Sequence, residues 1–320
     1  MIYRIPIRRW AAFMVGNVLA LCLNCYYRPS LRAVIFIFSR GGVGMQMEGA
    51  LRKMAITADE EGKAHYALRL DDSALPLNGA VGRTVRLVWT GAIRCVHCQR
   101  STNKSFAQGH CYPCFKRLAS CDTCIMSPER CHYAQGTCRE PAWGEQHCMA
   151  PHLVYLANSS ALKVGITKPS QLPTRWLDQG ATQAVPILDV DSRLQSGWVE
   201  DTLRSEISDR TSWQAMLKGE AAELDMAALR TRVLAQFEPQ LDALRARWGA
   251  DAIRVRSDVP RRFHYPVQAY PAKVKSFNLD RQPIVEGQLM GLKGQYLILD
   301  NGVINLRKYA GYHVDFSVVS

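Results

Sequence analysis

The sequence predicts an α+β chain: a small β unit, a cysteine-rich zinc module, a β-β-α-β-α domain, a helical segment and a C-terminal β unit. Three observations carry this prediction. Apolar residues alternate with a period of two near 66–70 and 85–89, the signature of half-buried strands, and the runs 291–299 and 303–306 flank an Asp300-Asn301-Gly302 turn. Nine of the eleven cysteines fall between Cys95 and Cys148. Between 152 and 207, three short apolar runs are interleaved with helix signals, ending in a four-residue apolar repeat at Val199, Leu203 and Ile207. The corresponding boundaries are 45–94, 95–150, 151–218, 219–250 and 251–320.

Residues 1–44 differ from the rest. They hold six arginines and no acid, so half of the chain's net charge of +12 sits there and +6 remains elsewhere. Arg8 and Arg9 precede an apolar run at 10–23, a signal-like pattern that is short for a membrane span. Met45 and Met47 stand where ordinary globular sequence begins, and the favoured reading is that 1–44 are a non-native extension. Clustered thiols argue against export, because zinc thiolates need a reducing compartment. The expectation is a cytoplasmic protein without stable membrane association; a membrane-attached factor would require residues 1–44. With 48% apolar and 21% charged residues, the composition is that of a folded chain. The remaining positive charge suits a polyanionic partner, and the sequence sets no oligomeric state.

The first β unit has Asn78-Gly79 and Gly82 as turns and runs directly into Cys95. Cys95, Cys98, Cys111 and Cys114 give two C-x2-C pairs separated by twelve residues, a zinc-ribbon or knuckle spacing. A pair two residues apart puts both thiolates on one tight turn, ready to share a tetrahedral ion. The segment has too few large apolar residues to fold around a core, so two structural zinc ions are expected to order it. The second is assigned to Cys121, Cys124, Cys131 and Cys138, with Cys148 as the substitute for Cys138. A disulfide framework would leave one of the nine thiols unpaired, and an iron–sulfur cluster fits the twelve-residue separation less well. Arg100, Lys104, Lys116 and Arg117 are interleaved with Phe106, Tyr112 and Phe115, a mixture suited to phosphate contacts and base stacking.

From 152 the order is strand (152–157), turn at 158–160, strand (162–167), a short helix through Trp176 stopped at Gly180, strand (184–190), and a helix expected to be capped at Ser196-Gly197. The strand carrying Val154-Tyr155-Leu156 and the strand Lys163-Val164-Gly165-Ile166-Thr167 resemble the GIY-YIG nuclease domain, in its branch with a K-[IV]-G-[IV]-T second motif. The cysteine-then-KVGIT arrangement also resembles a bacterial family of unassigned function. The resemblance covers about 65 residues. It implies a phosphodiesterase site. Tyr155 and Gly165 match the tyrosine and glycine of the two motifs, Arg175 the arginine of the first helix, and Glu200 the glutamate of the next. Glu200 would hold one Mg²⁺ or Mn²⁺, Arg175 would contact the scissile phosphate, and Tyr155 would orient or deprotonate water. Lys163 replaces the second motif's tyrosine; it could bind phosphate or, if desolvated, act as a base.

Each assignment has a plainer counterpart. Glu200 with Arg204 reads equally as an i,i+4 surface pair, and Tyr155 as strand packing. Arg210 and Asp178 are candidates for a buried ion pair. Residues 220–248 read as helical, with a break at Pro239. The arginines between 245 and 275, Arg261 and Arg262 among them, suggest a second polyanion footprint. Asp300-Asn301-Gly302 marks a hairpin, and the last strands are positioned to pair with those of 48–94. The function expected is nucleic-acid binding with metal-dependent cleavage. The alternative is a non-enzymatic zinc scaffold that binds RNA, a ribosomal particle or a protein.

Overall fold

The fold is described from a computed structural model, which covers residues 42–319 and, as backbone, the strands β1 (Ala11–Val15), β2 (Val18–Cys22) and β3 (Ile35–Ser39). The reading of 1–44 as an extension falls for the most part outside the described residues. The other strands are β4 (Gly42–Ala50), β5 (Ala55–Ala58), β6 (Ala64–Leu70), β7 (Ser73–Pro76), β8 (Thr84–Ile93), β9 (His152–Asn158), β10 (Leu162–Thr167), β11 (Gln183–Val190), β12 (Ile253–Val255), β13 (Arg261–Arg262), β14 (Ile284–Lys293), β15 (Tyr296–Leu299), β16 (Gly302–Asn305) and β17 (Tyr312–Val319). The helices are α1 (Tyr112–Arg117), α2 (Pro141–His147), α3 (Thr174–Asp178), α4 (Arg193–Leu203), α5 (Trp213–Met216) and α6 (Met226–Trp248). The architecture is therefore mixed α/β, with several sheets and few helices.

The largest sheet runs β1-β2-β3-β4-β17-β8-β14-β15-β16. The two ends of the chain meet in it, since β17 lies between β4 and β8 and β14 pairs with β8. Strand β17 shows why: Tyr312, Val314, Phe316 and Val318 point inward and His313, Asp315 and Ser317 point toward the other side. The sequence runs 66–70 and 85–89 fall in different sheets, β6 in the three-stranded β5-β6-β7 sheet and β8 in the large one. The run 291–299 is two strands, because Gly294, with φ of +57°, turns the chain between Lys293 and Tyr296.

The remaining sheet runs β10-β9-β11-β12, with β13 also on β11. All seven residues of β9 are buried, so it reads as a continuous apolar run. One face is covered by Val199 and Leu203 of α4 and by Met226, Val233, Phe237 and Leu241 of α6. Trp176 and Leu177 of α3 share the opposite core with Tyr155 and Ala157. Each large apolar side chain buried this way contributes roughly 1.5–3 kcal/mol. That is why α6 runs unbroken through Pro239, which faces solvent between the buried Phe237 and Leu241. Helix α4 starts earlier than expected. Its cap is Ser192, in a reciprocal capping box with Gln195, which leaves Ser196 and Gly197 inside the helix.

Helix α3 is tied to the other sheets. Asp178 is paired with Lys53 and accepts from Gln295 Nε2 at 3.0 Å, while Gln295 also bonds the backbone of Met54. The expected Arg210–Asp178 pair is thus not formed: Arg210 is 91% exposed and approaches only Asp209, at 4.0 Å, among the described residues.

Candidate metal centre and neighbouring polar cluster

The first cysteine pair sits on a turn at the end of β8. Cys95 N–H donates to Arg100 O at 2.9 Å and Gln99 N–H to Cys95 O at 3.0 Å, with Gln99 at φ +60° closing the turn. The second pair uses a helix start: Cys111 caps α1 and Cys114 lies in its first turn. The backbones meet where Val96 N–H donates to Gly109 O at 2.8 Å. The four Sγ atoms of Cys95, Cys98, Cys111 and Cys114 lie within 4.8 Å of one another, and Cys98 and Cys111 are 3.7 Å apart. Thiolates at ~2.3 Å from a tetrahedral ion are about 3.8 Å apart, whereas a disulfide needs ~2.05 Å. The described cysteines are free thiols. Burial and the neighbouring thiols push Cys114 up, while backbone N–H groups of Cys98, Cys111 and His97 outweigh burial and bring Cys95 down. Four sulfurs converging at this spacing form a cluster able to bind metal.

A second group able to hold a metal brings donor atoms of Asp122, Cys124 and His132 within 4.8 Å. Cys121 does not join it. It packs against the Cys95, Cys111 and Cys114 cluster instead.

Arg94, Arg100, Lys104 and Lys116 are exposed around the first centre. None has a carboxylate within ion-pair distance among the described residues, and Arg117 contacts only His97, at 3.3 Å. Lys104 lies over Phe106, which is in ring contact with Tyr112 and Phe115, and Tyr112 is 55% exposed. The arginines of 245–275 are different. Arg245, Arg254 and Arg256 pair with Glu238, Asp191 and Asp189, and Arg262 with Glu223. Arg261 lies over Phe263. Acids thus pair Arg245 within its own helix and Arg254, Arg256 and Arg262 across elements, so part of the second footprint is neutralised, while Arg94, Arg100, Lys104 and Lys116 around the first cysteine centre form no ion pair among the described residues.

The cysteine segment is docked on α4. Arg193, Gly197 and Glu200 lie at i, i+4 and i+7, so they share one face of that helix. The 3-10 turn Pro128–Arg130 presses against the middle position: a Cβ on Gly197 would come within 2.5 Å of Glu129 N and 2.6 Å of Pro128 Cβ. Arg193 donates to Ile125 O at 2.7 Å, and its backbone N–H to Cys148 O at 2.8 Å. Gly197→Ala should therefore cost about 1–3 kcal/mol by overpacking. Thermal unfolding checks this, with Gly219→Ala, which has nothing within 4 Å of an added Cβ, as the neutral control.

The four residues singled out by the resemblance meet around the β9–β10 edge. Tyr155 and Gly165 are cross-strand partners, and an added Cβ at Gly165 would lie 2.6 Å from the Tyr155 hydroxyl. The glycine makes room for the ring. Tyr155 is 0% exposed and donates to Gln179 Oε1 at 3.1 Å; burial pushes its pKa up, against the influence of Arg175. That suits a positioning hydroxyl and opposes a proton acceptor. Lys163, 4% exposed, is pulled down to about 8 by burial and then by Arg175, partly opposed by Glu200 and Asp209. Glu200 is pushed up to about 7 by burial and then by Asp209, with Arg175, Arg204 and Arg193 opposing. Arg204 pairs with Asp201 and Asp209, so the plain Glu200–Arg204 pair is not formed. Arg193 and Asp209 were missed by sequence reasoning. A signal existed for Arg193: a cation in the first turn of a helix opposes the macrodipole and implies an anionic neighbour.

No helix among the described residues is long and apolar enough to cross a membrane. No curated protein and no solved structure matches the chain. A family model does match, over residues 82–314. That span begins just before β8 and ends in β17, two strands that pair with each other, and it encloses the cysteine centre and the polar cluster. The chain belongs to the family described as Protein of unknown function (DUF2797).

Proposed function

We propose that this is a zinc-stabilised nucleic-acid-binding protein whose polar cluster hydrolyses phosphodiesters. The observation that carries the reading is the meeting of Lys163, drawn down to about 8, with Glu200, drawn up to about 7, under the shared influence of Arg175. Oppositely charged groups moved toward neutrality at one place are what acid–base chemistry requires. The order β9-β10-α3-β11-α4 and the central strand order β10-β9-β11 support a divergent GIY-YIG-like domain. The unpaired cations and the exposed Tyr112 supply a surface for phosphates and bases. Zinc is the ion we assign to the first centre, since four thiolates close its coordination and make the site architectural. Such thiolates point to a reducing cytoplasm, in a bacterial setting.

In the cluster, Arg175 would hold non-bridging phosphate oxygens. Lys163 would take the proton of the attacking water; with a pKa of about 8, about a tenth of it is neutral at pH 7. Tyr155 would keep Gln179 in place. Glu200 would hold a divalent ion such as Mg²⁺ or Mn²⁺, which when bound polarises the phosphate.

Labelled DNA and RNA with Mn²⁺ test this. Cleavage should be detected, and Glu200→Ala and Arg175→Ala should each lower it by about 10²-fold or more while leaving binding in place. Binding should weaken steeply with salt, and insensitivity to salt would remove the polyanion reading. A second reading is favoured by the burial of Tyr155 and Lys163: a zinc scaffold that binds RNA, a ribosomal particle or a protein without cutting. Binding with no cleavage in any metal would establish it.

A further inference from the structure

We propose that Cys124, Cys131, Cys138 and Cys148 form a second four-thiolate metal site, with Cys121 outside it. A small cavity of about 10 Å³ lies inside the segment 119–148, and all four of these cysteines line it, together with Asp122, His132 and the aromatic rings of Tyr133 and Trp143. The void is about the size of one water or one ion. The four thiols arrive from separate pieces of chain: the 3-10 turn Thr123–Ile125, the end of the turn Pro128–Arg130, the stretch before α2, and the end of α2 itself. Nothing local brings them together, and the segment has almost no apolar core to do so.

The other polar groups on this cavity are already engaged. Asp122 accepts from Thr123 N at 2.6 Å and pairs with Arg139 at 2.7 Å. His132 uses Nδ1 on Thr137 at 2.8 Å and turns Nε2 to Asp122 at 3.5 Å. Their donor atoms lie within 4.8 Å of Cys124, but with these contacts already made they would brace the site as outer partners while the four cavity-lining sulfurs close on the ion. Thiolates of this number select a soft or borderline divalent ion, Zn²⁺ first.

Charge compensation is also in place. A divalent ion with four thiolates leaves a net charge of −2. Half-buried Arg193 stands over this region, its side chain bonded to Ile125 O and its backbone N–H to Cys148 O, and its buried Nε has no hydrogen-bond partner. A cation at the start of α4, unfavourable toward the helix dipole, is explained by an anionic centre beside it. The site stands independently of any hydrolytic role for Glu200.

Full-length protein expressed with Zn²⁺ should hold two zinc ions per chain. Cys148→Ser and Cys138→Ser should each reduce this to one, and Cys121→Ser should keep two. A parallel measurement needs no variant. In the native zinc-loaded protein, brief alkylation followed by mass spectrometry should modify Cys121 and spare Cys124, Cys131, Cys138 and Cys148. Added chelator should expose all four. The proposal is overturned if Cys121→Ser loses an ion while Cys148→Ser keeps both. It is equally overturned if the native protein holds one ion and Cys148 alkylates as fast as Cys121.

Discussion

Removing metal from the native protein is expected to unfold the cysteine segment while the sheets persist. Leu118 is the sole large apolar side chain fully buried between residues 95 and 150. One leucine contributes roughly 1.5–3 kcal/mol, far too little apolar burial to hold the segment together. A structural zinc supplies an apparent 10–16 kcal/mol or so at neutral pH and takes the place of the missing core. With a strong chelator, amide hydrogen exchange should therefore show loss of protection across 95–148. Strands β9 and β17 should stay protected, because their cores hold no cysteine sulfur. Cys114→Ala should reproduce the loss around the first centre, residues 95–118, without chelator. If the chelated protein kept its protection in this segment, the metal-clamped account of the fold would be wrong.

The second large effect is a gain of stability in Glu200→Gln that depends on pH. Burial, then Asp209, push Glu200 up to about 7, from an ordinary 4.5. An acid whose folded pKa is raised is disfavoured in its ionised form by the fold. The penalty is absent below about pH 4.5, grows between 4.5 and 7, and is complete above 7. A difference of this size corresponds to about 3 kcal/mol at most, and partial solvation lowers it to about 1–3 kcal/mol. Glu200→Gln should therefore raise the melting temperature by several degrees at pH 8 and leave it unchanged at pH 4.5. The same substitution should abolish cleavage. Lys163→Met should also stabilise, with the opposite sense of pH. Its folded pKa of about 8 lies below the ordinary 10.5, so the penalty on its charged form is complete below pH 8 and fades above it. Stability gained together with activity lost is the mark of groups held at an unfavourable site for function. Arg256, held between Asp258 and Asp189, shows the contrasting case, and removing it should only destabilise. A Glu200→Gln protein no more stable at pH 8 than the native one would place Glu200 on an ordinary surface.

Much of this was legible in the residues. The strand at 162–167 and the apolar spacing of Val199 and Leu203 were visible because period two and period 3.6 are imposed by the backbone itself. The pairing of Cys95 with Cys98 and Cys111 with Cys114 was visible because two intervening residues close one turn. What failed to show involved partners far apart in the chain. Asp178 takes Lys53, 125 residues away, and leaves Arg210 in solvent. Arg262 meets Glu223, 39 residues away, and ceases to be a free cation. Arg204 turns to Asp201 and Asp209, which leaves Glu200 half-buried, where its charge acts on Lys163.

The sequence by itself thus determined the local elements, the knuckle turns and the supply of thiols and cations, since each depends on a few neighbouring residues and the geometry of one backbone. Only the tertiary structure decided which thiols share a cavity, which arginines stay unpaired and how far Lys163 and Glu200 are moved toward neutrality. Those outcomes depend on burial and on charges contributed by other elements, and both exist only once β9, β10, α4 and the cysteine segment are packed together.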